Sequence, residues 1–407
     1  MRVLLPLARW LLVCGLLVAA PAQADFSVET GAGDVVDVRV FPGESGQPLF
    51  IWLVDEYGHH QAHDDQMAAL AETGAEVWQV DLLESYFLER TSRNVRELSG
   101  AGIGRLIREA VARGHDSVTV VGAERMAVPV LRGVHVWQQA PDSTAIRVGA
   151  VLFYPNLYAG TPVAGEEPEL LPIAGATTLP VFILQPEEGA NRWRLPEMLG
   201  ALDRHRPNTY TYLIPGVRDW FYLHTDDPTP REAELQKRLP TLLRRAAERL
   251  ADSPQPASAR EPESRPESTP RAVGLVPIEE RPEAPDFTLP ATRGGEVSLA
   301  DYRGRVTLVN FWATWCPSCV EEIPSMNRLA ARFDEDEFAI VSVNFKQSRE
   351  TVADFLDQVT VDFPVLLDRD GKVSQQWQVF SFPSSFLVDR QGRVRYSVNS
   401  GILWDKS

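Results

Sequence analysis

The chain has 407 residues, of which 44% are hydrophobic and 24% charged, and its formal net charge is −16. This length allows two or three domains, and the composition is that of a globular protein rather than a disordered or membrane-embedded one. An acidic chain lacks the basic surface that nucleic-acid binding requires, so no nucleic-acid partner is expected.

Residues 1–24 have the pattern of an export signal. An apolar run, Leu11–Ala20, follows two arginines and precedes Ala22-Gln23-Ala24, which fits a small-x-small cleavage site. Cys14 lies within this run and is interpreted as a hydrophobic residue of the discarded peptide. Because the run is short for a membrane span, we expect an exported, periplasmic protein without tight membrane association, while an uncleaved anchor remains an alternative.

Residues 25–252 alternate strand-like apolar runs with helical patterns. Such alternation predicts an α/β domain with a mostly parallel sheet between helices. The predicted helices are His63–Glu72, Val95–Arg113, Arg125–Gln139 and Arg231–Leu250. The predicted strands are Val35–Phe41, Leu49–Val54, Glu76–Leu82, Ser117–Val121, Val148–Tyr154, Val181–Leu184 and Thr209–Ile214.

Two segments of this region, Ala69–Asp81 and Val120–Ala127, resemble the early strand and the nucleophile elbow of the α/β-hydrolase fold. The elbow motif needs Gly-x-Ser-x-Gly around a sharp turn, but Glu124 stands in place of the serine and Met126 in place of the second glycine. We therefore expect a hydrolase-like domain without serine hydrolase activity. The alternatives are a client- or ligand-binding domain and an esterase with an atypical site at Glu124.

A histidine-rich loop precedes the first predicted helix of this domain. His59, His60 and His63 could bind a metal together with Asp64 or Asp65, but a solvated polar loop is the favoured interpretation. No metal and no cofactor are expected.

Residues 253–283 are rich in proline and charge and poor in apolar residues. A segment of this composition cannot bury a core, and its prolines favour extended conformations. We expect a fairly stiff linker that keeps a second domain, residues 284–407, close to the first.

The second domain contains the most informative motif of the chain. An apolar strand pattern, Val306–Trp312, leads through Trp315 into Cys316-Pro317-Ser318-Cys319 and then into a helical pattern. A helix N-terminus favours a thiolate over a thiol, so Cys316 is the expected nucleophile and Cys319 the resolving partner. Half of a zinc site and a permanent structural disulfide are the alternatives; redox exchange is favoured because there is no second cysteine pair.

These features resemble the thioredoxin fold and, within it, the periplasmic TlpA/ResA-like thiol–disulfide oxidoreductases. The likeness runs from Ala284 to Trp404. It implies a buried polar residue at Asn310, an acidic residue near the active site at Glu322, and a cis proline at Pro383 after Phe382. In the same relatives the sheet is usually closed by a C-terminal helix. Here the chain ends at Ser407, so either this helix is missing or another element covers that face.

The resemblance implies a reducing direction, with electrons from a membrane thiol–disulfide donor. The clients it implies are proteins with disulfides, such as apocytochrome c during cytochrome c maturation or metal-centre assembly proteins. An oxidising role is the rival within the same class. Glu322 is a candidate general acid or base for the Cys319 thiol, or else a solvated helix residue.

Overall fold

The computed structural model describes residues 25–31, 33–160, 169–176, 178–189, 192–204, 208–223, 225, 228–256, 259–262, 274–379 and 381–406. The predicted export signal, with Cys14, lies outside the described residues, as does part of the predicted linker. Across the described ranges, no helix combines the length and the apolar character that a membrane crossing needs.

An eight-stranded sheet organises the first part of the chain, which we call the N-terminal unit. Its strand order is β1-β2-β4-β3-β5-β6-β7-β8, with β1 and β2 antiparallel to their neighbours and the remaining pairs parallel. The strands are β1 (Phe26–Glu29), β2 (Val35–Phe41), β3 (Leu49–Leu53), β4 (Glu76–Val80), β5 (Ser117–Ala123), β6 (Arg147–Phe153), β7 (Val181–Pro186) and β8 (Thr209–Ile214).

Helices cover both faces of this sheet. They are α1 (Gln61–Ala71), α2 (Leu82–Ser85), α3 (Ser92–Glu97), α4 (Ala101–Ala112), α5 (Ala127–Gln138), α6 (Ile173–Ala176), α7 (Leu195–Leu202) and α8 (Pro230–Ala251). Residues of α4 and α5 form one core cluster, and residues of α1 and α8 form the other. Because both faces are covered, the central strand β3 is apolar throughout, and all five of its residues are buried.

The predicted helix Val95–Arg113 is two helices, α3 and α4. Gly100 separates them with a φ of 79°, a left-handed conformation that glycine adopts without steric cost. A Cβ at Gly100 would lie 2.5 Å from the backbone carbonyl carbon of Arg132 on α5. The prediction of one continuous helix was wrong because the close approach of a distant helix fixes the break.

A six-stranded sheet organises the C-terminal domain, in the order β14-β13-β12-β15-β16-β9. The central strand β12 is parallel to β13 and antiparallel to β15. The strands of this sheet are β9 (Val276–Pro277), β12 (Val306–Trp312), β13 (Phe338–Phe345), β14 (Val365–Asp368), β15 (Ser384–Val388) and β16 (Val394–Val398); β10 (Thr288–Pro290) and β11 (Glu296–Ser298) form a separate hairpin. This mixed sheet is the thioredoxin-like fold that the sequence predicts.

The α-helices in the described part of this domain are α9 (Pro317–Ala330), α10 (Arg349–Leu356) and α11 (Lys372–Gln376). Residues of α9 and α10 pack on one face of the sheet and residues of α11 on the other. Among the residues described after β16, none is helical, and the segment instead contacts α9. Two residues of the predicted linker also form a strand, β9, because the edge of β16 offers free backbone groups.

A candidate thiol–disulfide site at the start of helix α9

Cys316 and Cys319 form a disulfide at the start of α9, with their Cα atoms 5.3 Å apart. Cys316 is the N-cap residue of the helix, and its sulfur accepts a hydrogen bond from the Cys319 backbone N–H at 3.3 Å. Ser318 Oγ lies 3.6 Å from the same sulfur. Once the disulfide is reduced, these donors and the positive end of the helix dipole favour the Cys316 thiolate.

Both cysteines are buried, Cys319 slightly more than Cys316. Cys316 is 5% exposed and Cys319 is 1% exposed. Both belong to the apolar cluster between the sheet and α9, with Ile323 and Met326 of the same helix. A partner disulfide can therefore reach Cys316 first, while Cys319 is held back inside the domain.

Glu322 lies one turn after Cys319, on the same face of α9, and is 2% exposed. Asn310 Nδ2, on β12, donates hydrogen bonds to Glu322 Oε1 at 2.8 Å and to Ser385 Oγ at 3.0 Å. Trp404 Nε1 donates to the other carboxylate oxygen, Oε2, at 3.1 Å. The alternative of a solvated helix residue is therefore wrong, because the carboxylate is enclosed between the sheet, the helix and residue 404.

Burial raises the pKa of Glu322 to about 7. Hydrogen bonds from Trp404, Asn310 and the Ile402 backbone act in the opposite direction, because each stabilises the charged carboxylate. The group consequently exchanges its proton near neutral pH, which is the property that a general acid or base requires.

An aromatic surface borders the disulfide. Trp315 is 41% exposed and packs edge-on against Phe382 at a ring distance of 5.8 Å. Phe382 in turn packs against Phe345 at 4.9 Å. The Phe382–Pro383 peptide bond is cis, as the resemblance implies. The structure thus brings the predicted proline loop and the predicted tryptophan to one side of the site.

Two contributors to the site were missed in the sequence. Gln347 holds the loop before the cysteines: its Oε1 accepts from Thr314 N–H at 2.8 Å, and its Nε2 donates to Thr314 Oγ1 at 2.7 Å. Trp404 is the second, and it reaches Glu322 across 82 residues of sequence. Neither residue belongs to a local motif, so only the folded chain brings them to the cysteines.

The second candidate site lies at the carboxyl end of β5 in the N-terminal unit. Glu124 has a φ of 50°, an uncommon conformation for a non-glycine residue. Its carboxylate accepts from Asn156 Nδ2 at 2.7 Å and from the Arg125 backbone, and Arg125 Nη1 lies 3.1 Å away. Burial raises the pKa of Glu124. Within the described ranges no histidine contacts this carboxylate, so the base that a hydrolase would need is not beside it.

The histidines of the histidine-rich loop contact separate aspartates. His63 Nε2 lies 3.1 Å from Asp55 Oδ2, and His59 Nε2 lies 2.8 Å from Asp64 Oδ1. His63 and Asp55 are almost fully buried, so a solvated loop describes only part of this region. The described residues contain no group of three or more histidine, cysteine, aspartate or glutamate side chains placed to hold a metal ion.

Comparison with known proteins assigns the C-terminal domain to a protein family. Residues 281–397 match the family model of the AhpC/TSA family, which defines the class as a thioredoxin-fold protein. The thioredoxin-like protein YneN of Bacillus subtilis (strain 168) is 37% identical over 123 residues, which cover 30% of this chain and 71% of that protein. The thiol-disulfide oxidoreductase ResA of the same organism is 36% identical over 122 residues, which cover 30% of this chain and 68% of ResA.

The chain belongs to the family of thioredoxin-like thiol–disulfide oxidoreductases, and residues 281–397 carry that membership. A solved structure, a putative thiol:disulfide interchange protein DsbE from Chlorobium tepidum, is 36% identical with a TM-score of 0.29, covering 31% of this chain and 88% of that chain. Several ResA proteins from other bacilli are matched over 64–65% of their own length, so the chain spans about two thirds of these relatives.

Proposed function

We propose that the chain is an exported protein disulfide reductase that acts through Cys316 and Cys319. The observation that carries the proposal is the position of the Cys316 sulfur at the N-cap of α9, beside the aromatic surface formed by Trp315 and Phe382. The Cys316 thiolate attacks a client disulfide, forming a mixed disulfide and releasing one client thiolate. Cys319 then attacks the Cys316 sulfur, which releases the second client thiolate and closes the Cys316–Cys319 disulfide.

The reducing direction requires an electron donor, which we propose to be a membrane thiol–disulfide carrier. The donor's dithiol reduces the Cys316–Cys319 disulfide and is itself oxidised, so the cycle balances. The ResA relative supports thiol–disulfide exchange as the reaction. We propose oxidised apocytochrome c and metal-centre assembly proteins as clients, and the periplasm as the compartment. Cleavage of the signal at residues 1–24 would leave only the two active-site cysteines.

Two neighbours of the cysteines have proposed roles in this cycle. Glu322 accepts the proton of the Cys319 thiol, so that the thiolate can attack the mixed disulfide; a carboxyl with a pKa of about 7 suits this transfer. Pro383 has no backbone N–H, and its loop presents backbone groups to an extended client segment beside Trp315. Trp315 and Phe382 form the apolar surface against which such a segment packs.

Trapping the mixed disulfide tests this assignment. Full-length protein carrying Cys319→Ser is reduced and then mixed with an oxidised client peptide that contains a single disulfide. We expect a stable covalent complex through Cys316, and no complex with the matched variant Cys316→Ser. Equal trapping by both variants, or trapping only by Cys316→Ser, would show that the roles of the two cysteines are wrong.

A second function, client recruitment, is favoured by the carboxyl edge of the large sheet. In open α/β sheets this edge is the usual ligand-binding position. Here Tyr57 is 63% exposed and packs edge-on against Trp220 at 5.2 Å. Glu124, on the same edge, is held by Arg125 and Asn156 rather than by a histidine, which favours binding over hydrolysis.

The recruitment function can be tested separately from exchange. Tyr57→Ala in the full chain should slow reduction of oxidised apocytochrome c and leave reduction of oxidised glutathione unchanged. An equal effect on both disulfides, or none, contradicts recruitment at this edge. The rival esterase function requires turnover of activated esters that Glu124→Gln abolishes.

A further inference from the structure

The chain after β16 runs along α9 and contacts this helix from its first turn to Arg328. We call residues 399–405 the C-terminal strap. A Cβ at Gly401 would lie 3.0 Å from the carbonyl oxygen of Ser318, so the strap passes close to the backbone between the cysteines. At its far end, Asp405 Oδ2 pairs with Arg328 Nε at 2.7 Å. Contacts at both ends therefore fix the strap on the active-site helix.

Trp404 is the residue of the strap that reaches into the site, and it is 5% exposed. Its backbone N–H donates to Ser325 Oγ at 3.1 Å, and its indole Nε1–H donates to Glu322 Oε2 at 3.1 Å. The Ser325 hydroxyl in turn donates to the backbone carbonyl of Glu322 at 2.7 Å. Trp404 is thus held at its backbone and at its indole, and the only polar atom of the indole is directed at the carboxylate.

The two carboxylate oxygens of Glu322 accept hydrogen bonds from different parts of the fold. Asn310 of the sheet donates to Oε1, whereas the strap supplies the indole N–H at Oε2 and a further hydrogen bond from the Ile402 backbone. Each of these donors stabilises the charged carboxylate and opposes the effect of burial. Loss of the strap donors would leave a buried carboxylate with its sheet donor alone.

We propose that Trp404 is a positioning residue for disulfide exchange: its indole N–H holds the carboxylate of Glu322, which lies one helical turn after Cys319, as the proton acceptor for the Cys319 thiol. This inference rests on the proposed role of Glu322 as the base for the Cys319 thiol. Removing the N–H should leave the carboxylate protonated over a wider pH range, so that Cys319 loses its proton acceptor at neutral pH.

The groups that face Glu322 are mostly uncharged, which makes the pH dependence simple to interpret. The sheet presents Asn310 and Ser385, and the strap presents the Trp404 indole. On α9 itself, the neutral hydroxyl of Ser325 donates to the Glu322 backbone carbonyl. The charged Arg328–Asp405 pair lies at the far end of the strap, where Arg328 is solvent-exposed.

The test is Trp404→Phe in the full-length protein, which retains an aromatic ring and removes the N–H donor. Because a hydrogen bond to a charged carboxylate stabilises that form, its loss should raise the pKa of Glu322 by about one unit or more. We expect the titration midpoint of the Glu322 carboxyl, followed by ¹³C NMR, to rise by about one pH unit. The rate at which the reduced protein reduces oxidised glutathione should fall about fivefold at pH 7 and recover at pH 9.

The matched control is Trp377→Phe. Trp377 is 2% exposed in the same domain, but within the described ranges its Nε1 has no hydrogen-bond partner. This control should change neither the midpoint nor the pH–rate profile. A loss of rate that is equal at pH 7 and pH 9 in Trp404→Phe would indicate a merely structural role and overturn the proposal.

A double variant separates this inference from the role of Glu322. In a Glu322→Gln background, Trp404→Phe should have no further effect on the pH–rate profile; a further shift there overturns the positioning role. If Glu322→Gln alone leaves the profile unchanged, the proposed base is wrong. The NMR midpoint of Glu322 in Trp404→Phe still tests the contact in that case, and an unchanged midpoint refutes it independently.

Discussion

Glu322 should make the folded C-terminal domain less stable as the pH rises from about 4.5 to 7. The pKa of this carboxyl is raised from its ordinary value of 4.5 to about 7, because the group is buried between β12 and α9. In that window the folded protein binds a proton that the unfolded chain has released. The free energy of unfolding therefore decreases with increasing pH, by about 1.4 kcal/mol for each unit by which the two pKa values differ.

The pKa values of Glu322 in the folded and unfolded chain differ by about 2.5. We therefore predict that the free energy of unfolding falls by about 3 kcal/mol between pH 4 and pH 8. Glu322→Gln cannot titrate, so it should lack this component. The variant has a constant cost from its altered hydrogen bonds with Asn310 and Trp404, but that cost does not change with pH. The diagnostic quantity is thus the pH dependence of the difference between wild type and variant.

Hydrogen exchange followed by mass spectrometry measures this difference in the intact oxidised protein. Peptides from β12 and α9 report the unfolding free energy of the domain in increasing guanidinium concentrations, after correction for intrinsic exchange rates. We expect the variant to gain about 3 kcal/mol relative to wild type as the pH is raised from 4 to 8. A difference that is flat across this range, or that changes in the opposite direction, would refute the assignment of a raised pKa to Glu322.

Two further substitutions test the packing. Asp368 is fully buried, and its carboxylate accepts hydrogen bonds from two backbone N–H groups and from the Ser374 hydroxyl. Asp368→Ala should therefore lower the free energy of unfolding by about 3 kcal/mol, as measured by denaturant titration. A loss below about 1 kcal/mol contradicts this account. A Cβ at Gly133 would lie 2.4 Å from Ile103 Cβ, where α4 and α5 cross. Gly133→Ala should therefore lower the free energy of unfolding by about 1–3 kcal/mol. Gly200 on α7 has open space around it, so the control Gly200→Ala should not lower the free energy of unfolding.

The elements of the fold were predictable where the pattern is local. The predicted strands Val35–Phe41, Thr209–Ile214 and Val306–Trp312 agree with the structure at both ends. The Cys316 turn is also local, because strand, proline and helix follow one another directly in sequence. Alternation of apolar and polar residues and runs of apolar residues are short-range signals, so they can be recognised in a sequence without knowledge of the tertiary fold.

The environment of the site was not predictable in the same way. The resemblance implies an acidic residue near the active site at Glu322, but the burial of this residue depends on Asn310 from β12 and on Trp404 from the strap. These partners lie 12 and 82 residues away in sequence, and a single chain carries no signal that pairs them with Glu322. The left-handed conformation of Glu124, by contrast, lies at the sharp turn that the resemblance to a nucleophile elbow implies.

The central claim, a reductase that cycles through Cys316 and Cys319, is tested most directly by the reduction potential of that pair. The intact protein is equilibrated with glutathione or dithiothreitol buffers, and the dithiol fraction is measured by thiol alkylation. We predict a potential near that of thioredoxin, about −270 mV. A potential near about −120 mV, as in a dedicated oxidant, would contradict the proposed direction of electron flow.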